Sequence, residues 1–207
     1  MTGSYKWLGG IGYILMLIPF ANIVGFLLVG IAWVMAGSDT RQGIFKATGI
    51  LMFITMILTA VIIASWLPMI GSLITGLPLG EYPSVPPPGL FQEFLRTIGL
   101  FLTVVGITAV LAIVEWVLEL VSHFRAATVY NVKWFRRAGW MRIVTIIVAI
   151  IVIALFILLS LSIQLYMVGL IIPVILGLLS LIFSAISFFS IPEAAIERRT
   201  SYLPPPE

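Results

Sequence analysis

Glu115, Glu119 and His123 stand four residues apart, so a helix would stack them on one face. Two carboxylates and an imidazole in that register could hold a metal ion or pass a proton. A di-metal bundle, however, draws matching carboxylates from its other helices, and no other apolar segment of this chain supplies one. The stripe is therefore read as structural, its side chains reaching lipid headgroups or pairing with Arg125 and the arginines beyond it. No metal site is assigned. Asn22 is the other polar residue in an apolar run, three positions after Pro19. An amide there can satisfy backbone groups freed by a helix break, and transporters use such breaks as binding sites. A single histidine excludes a bis-His haem within the chain, and the absence of cysteine excludes disulfides, thiolate metal sites and a Cys nucleophile. With no phosphate-binding Gly-Lys loop and no zinc-protease helix, no cofactor and no catalytic residue are expected. The chain is read as not an enzyme.

The elements that carry these residues belong in a membrane. From Ile143 to Ile191 the chain has no Asp, Glu, Lys or Arg, 49 residues in all. One crossing of a bilayer core needs roughly 20 residues, so the run predicts two spans, about 143–161 and 165–190. Their turn falls near Ser162-Ile163-Gln164, and Pro173 is expected to kink the second. Hydrophobic residues make up 61% of the 207 and charged residues 9%, and mean hydropathy is +1.21. That composition predicts a single all-α integral membrane domain of about five transmembrane helices. The first segment, 7–36, is broken at Pro19–Asn22. It is either one kinked span or a re-entrant pair, Leu8–Ile18 and Ile23–Ala36, each too short to cross alone. Spans at 47–67, stopped by Pro68, and 97–121 follow. Between them lies a Pro-rich outer loop, 68–90, with Phe91–Arg96 as an interfacial lead-in. A polar tail, 192–207, comes last.

Residues 122–142 read as a basic connector between spans. Five crossings put Arg41, Lys46, Arg125, Lys133, Arg136, Arg137, Arg142, Arg198 and Arg199 on one side, against Lys6 and Arg96 on the other. That asymmetry makes the connector and C-terminus cytoplasmic. A re-entrant first segment would move Lys6 to the same side, so the N-terminus is left out or in. Arg125, Lys133, Arg136, Arg137 and Arg142 are read as contacts for anionic lipid, with Phe124, Tyr130, Trp134, Phe135 and Trp140 at headgroup level. Basic residues interleaved with aromatics also suit single-stranded nucleic acid, but a short link between spans favours the bilayer. No nucleic-acid partner is expected. Small residues at Ala21 and Gly25, Ala32 and Ala36, and Ser180 and Ser184 allow close helix approach.

Several strings together resemble a known family. They are Leu8-Gly9-Gly10-Ile11-Gly12, Pro19, Asn22-Ile23-Val24-Gly25, Ser38-Asp39, Gly43-Ile44-Phe45-Lys46, Trp134–Gly139 and Ile186–Pro192. Their order and spacing resemble the largely archaeal membrane family catalogued as domain of unknown function 996, over nearly the whole chain. The link after Ser38-Asp39, only Thr40-Arg41-Gln42 here, is shorter than that family's usual one. The resemblance implies a helical membrane fold and supplies no mechanism, since that family has no established activity. The expected function is that of a non-catalytic subunit in the cell membrane, packing against or stabilising a larger complex. The alternative is a small transporter or channel-like protein using the Pro19/Asn22 break and the Glu115/Glu119 stripe.

Overall fold

The structure, a computed structural model, describes residues 3–74, 90–159 and 162–193. Within them the chain forms six helices and no strand: α1 (Ser4–Leu15), α2 (Asn22–Thr40), α3 (Gly43–Ile74), α4 (Leu90–Val129), α5 (Lys133–Leu158) and α6 (Ile163–Phe189). Five of them, all but α1, are long and apolar enough to cross a membrane. This is a multi-pass helical membrane protein.

The break at Pro19 is a reversal of direction. α1 closes with Leu17 and Ile18 donating to Ile14 and Leu15, both at 3.0 Å. Pro19 then brings no backbone donor, and Phe20 takes a left-handed φ of 67°. α2 therefore runs back alongside α1 as the second arm of a hairpin. Glycine makes the pairing possible. A Cβ on Gly25 would lie 2.6 Å from the Gly12 carbonyl oxygen, and one on Gly12 would lie 2.9 Å from that of Gly25. Gly30 of α2 meets Gly49 of α3 in a similar crossing.

The start of the hairpin sits at the link that follows α4. The Tyr5 ring lies 6.2 Å from that of Tyr130, and Trp7 packs on Phe189 at the end of α6. Lys6 Nζ stands 3.9 Å from Glu193 Oε1. Both ends of the described chain are thus on one side, and Lys6 joins the other basic residues there. The small residues of the first segment face inward: Gly25, Gly30, Ala32 and Ala36 are buried in α2. Their capacity for close approach is used inside the molecule, against α1 and α3.

Three expected boundaries need correction. Pro68 does not stop the second span, because α3 continues to Ile74; membrane helices tolerate proline where local adjustment re-satisfies the freed carbonyl. The basic connector 122–142 is not a loop. α4 extends to Val129 and α5 begins at Lys133, leaving only Tyr130, Asn131 and Val132 between them. Asn131 turns this link with a left-handed φ of 55°, while Ser122, His123, Ala126, Phe135 and Ala138 pack inside. The lead-in Phe91–Arg96 is part of α4. Ser162 begins the turn into α6 as its N-cap, accepting from the Leu165 N–H. Residues 75–89 of the Pro-rich loop and 194–207 of the polar tail, with Arg198 and Arg199, lie outside the described residues. α6 continues through the buried Pro173 to Phe189.

Candidate functional site

Glu119 and His123 occupy the centre of the molecule. Arg142 of α5 forms an ion pair with the Glu119 carboxylate, both side chains about nine-tenths buried. Tyr13 of α1 donates its hydroxyl to Glu119 Oε1 at 2.5 Å, and Trp33 of α2 donates its indole N–H to the Tyr13 oxygen at 3.2 Å. His123 Nδ1 donates to the carbonyl of Glu119, 2.8 Å away, while Nε2 lies 3.0 Å from Ser184 Oγ on α6. Arg142 Nη2 also donates to Ser184 Oγ, at 3.4 Å. Thr48 of α3 and Ser122 of α4 share a hydrogen bond of 2.8 Å beside this group. All six helices contribute.

Rings close the cluster off. The Trp33 ring is ringed by Phe188 at 5.1 Å, Phe45 at 5.2 Å and His123 at 5.4 Å. Arg142 lies 5.8 Å from the Tyr13 ring centre. Ser180 donates to the Ala138 carbonyl at 3.4 Å, tying α6 to α5. A buried ion pair repays its desolvation only with good geometry and further hydrogen bonds. Tyr13 and Ser184 supply those bonds, and Arg142 Nε alone is left without a partner.

The stripe therefore serves three different neighbours and does not converge on one point. Arg142 and Tyr13 take the Glu119 oxygens, and Ser184 faces the open nitrogen of His123. Among the described residues no three His, Cys, Asp or Glu side chains gather as metal ligands. Glu115, one turn further along α4, is buried outside this network and faces Thr55 of α3.

Beside Thr55 opens a hollow of about 320 Å³ at the tip of the hairpin, lined by Met16, Asn22, Phe26, Thr59 and Ile63 among others. Asn22 is the first residue of α2, and Ala21 before it has no side-chain cap to offer. The Thr55 hydroxyl is buried and turned toward the Glu115 carboxyl.

The lipid-contact candidates separate. Arg142 is withdrawn from that role, since it is buried against Glu119. Arg125 is exposed and donates to Gln42 Oε1 at 3.2 Å. Lys133, Arg136 and Arg137 are exposed at the start of α5. Sequence reasoning did not assign Tyr13, Trp33, Thr48, Thr55, Ser122, Ser180 or Ser184 to a common network. One signal was available for Arg142. Phe135, Ala138, Gly139 and Arg142 follow the spacing of one buried helix face, and all four are buried in α5.

Comparison with family models, with curated proteins and with solved structures finds no match to this chain.

Proposed function

We propose that this chain is a small, non-catalytic transporter or channel-like protein of the cell membrane, and that the tip of its hairpin forms the working site. The observation behind this reading is the hollow at the tip, where Asn22, Thr55 and Thr59 meet beside Glu115. Depth gives the hollow its meaning. If Arg125, exposed on α4, marks headgroup level, Glu115 lies ten residues, about 15 Å, deeper along the helix. Half of a bilayer core is about 15 Å, so Glu115 and the hollow beside it fall near the midplane. Irregular backbone at that depth is tolerated where it lines a water-filled cavity or is covered by protein. A helix that starts there, with its N–H groups uncapped, suits a polar solute or ion.

The chain has no cysteine, so single-cysteine variants at Asn22 and Thr59 give a clean test in proteoliposomes. A membrane-impermeant, charged thiol reagent is expected to modify both. Failure of that reagent, with ready modification by a lipid-soluble maleimide, would overturn the transport reading.

The subunit reading has its own support in the side chains around the tip. Phe20 is 94% exposed, and Ile18 and Ile23 are also exposed. A neighbouring membrane subunit covering them would shield the same irregular backbone. Purification in mild detergent, with a stable partner lost in a Phe20→Ser variant, would favour this second function. The resemblance to family 996 adds a fold expectation to either reading and no activity.

A further inference from the structure

The sequence groups Lys133, Arg136 and Arg137 with Arg125 and Arg142 as contacts for anionic lipid. The structure divides them. Arg142 is neutralised inside the bundle and Arg125 is turned to Gln42. The other three line one hollow of about 360 Å³ with Ala127, Asn131 and Trp140.

We propose that this hollow binds the phosphate of one anionic phospholipid headgroup. Three cations line it without a carboxylate among its walls, and none of the three has an ion-pair partner among the described residues. An anion entering the hollow therefore displaces no carboxylate of the described residues. Two of the cations are guanidiniums, whose planar forks match phosphate oxygens in pairs. Arg137 is held in place over the Trp134 ring, 4.4 Å from its centre, which lowers the entropy lost when it binds. Asn131 adds an amide donor from the link. The N-terminus of α5 opens here too, where Val132 offers no side-chain cap, and its dipole favours negative charge.

The position of Trp140 identifies the phosphate as a lipid's. Its ring is 57% exposed and packs edge-on against Phe124 at 5.8 Å. Tryptophan with one face wet and one apolar marks the membrane interface. α5 continues from there as an apolar helix with Val144, Ile147 and Ile151 exposed. A phosphate among the three cations leaves its acyl chains lying along that face. A soluble phosphate has no use for it.

The experiment uses the full chain in nanodiscs, with phosphatidylglycerol as the probe in a phosphatidylcholine background and bound lipid counted by native mass spectrometry. Neutralising Lys133, Arg136 and Arg137 together to Gln is expected to lower phosphatidylglycerol retention at least tenfold, at about fivefold per basic residue near the surface. Arg125→Gln serves as a control and is expected to change retention less than twofold. A conservative R136K/R137K variant, checked for an unchanged unfolding temperature, is expected to keep part of the binding. A loss from R125Q equal to the loss per charge in the triple variant, about fivefold, would mean diffuse surface charge and overturn the site. Displacement of phosphatidylglycerol by millimolar inorganic phosphate would assign the hollow to a soluble anion and overturn the lipid assignment.

Discussion

At the scale of single residues, the central question is what a buried ion pair does in a protein already surrounded by lipid. Removing one partner of such a pair leaves an uncompensated charge and costs about 3–5 kcal/mol, whereas replacing both with apolar residues of similar volume is often neutral. Glu119→Gln and Arg142→Met are each expected to destabilise the protein by that amount, measured by unfolding in detergent. The double variant should recover much of the loss, because no lone charge remains. If the double variant is as unstable as the sum of the singles, the pair contributes more than mutual neutralisation. Tyr13→Phe should cost less, about 1–3 kcal/mol, since it removes one donor from Glu119 and leaves Arg142 in place. The stripe on α4 was legible in the sequence as a set of polar residues at helical spacing. Its partners were not, because Tyr13 and Glu119 are 106 positions apart and helical periodicity has no reach beyond its own helix.

At the scale of elements, the hairpin depends on glycine more than on any polar contact. Gly25→Val should lower stability by about 1–3 kcal/mol through overpacking, because its Cβ would press into the backbone of Gly12 and Met16. Gly106→Ala, where the added Cβ meets nothing within 4 Å, serves as the control and should be close to neutral or slightly stabilising. Similar losses at both positions would show that the hairpin is not closely packed. The sequence announced the break, since Pro19 and Asn22 interrupt an otherwise continuous apolar run. It left the direction of α2 open, because a kinked span and a hairpin have the same pattern of hydropathy. Glycines at 12 and 25 become informative only when the two helices are known to run antiparallel. The connector was misread for a related reason. Five cations and five aromatics suggest a surface loop by composition, yet one face of α5 buries Phe135, Ala138 and Arg142 while the other exposes Arg136, Arg137 and Trp140.

At the scale of the whole molecule, the hairpin fixes an even topology. Lys6, Arg41, Lys46, Arg125, Lys133, Arg136 and Arg137 gather on one side, with Arg96 at the other end of α4. The positive-inside rule leads us to expect the first side to be cytoplasmic. Single cysteines at Ser4 and Asn131 should therefore react with an impermeant reagent only after the cell membrane is opened, and one at Gln164 should react in intact cells. Opposite behaviour of Ser4 and Asn131 would refute the hairpin and restore a first segment that crosses once.

The long sequence separation within the central network has a consequence for how the protein is made. The ribosome delivers Tyr13 and Trp33 first, Glu119 after α3, Arg142 later still, and Ser184 only with α6. At cellular rates of synthesis, the interval between Tyr13 and Ser184 is on the order of 10–30 s. During that time α1 and α2 are paired through Gly12 and Gly25 but lack the polar partners of Tyr13 and Trp33 on the later helices. Completion of α6 supplies the last hydroxyl, so the first two helices to be translated are among the last to be secured.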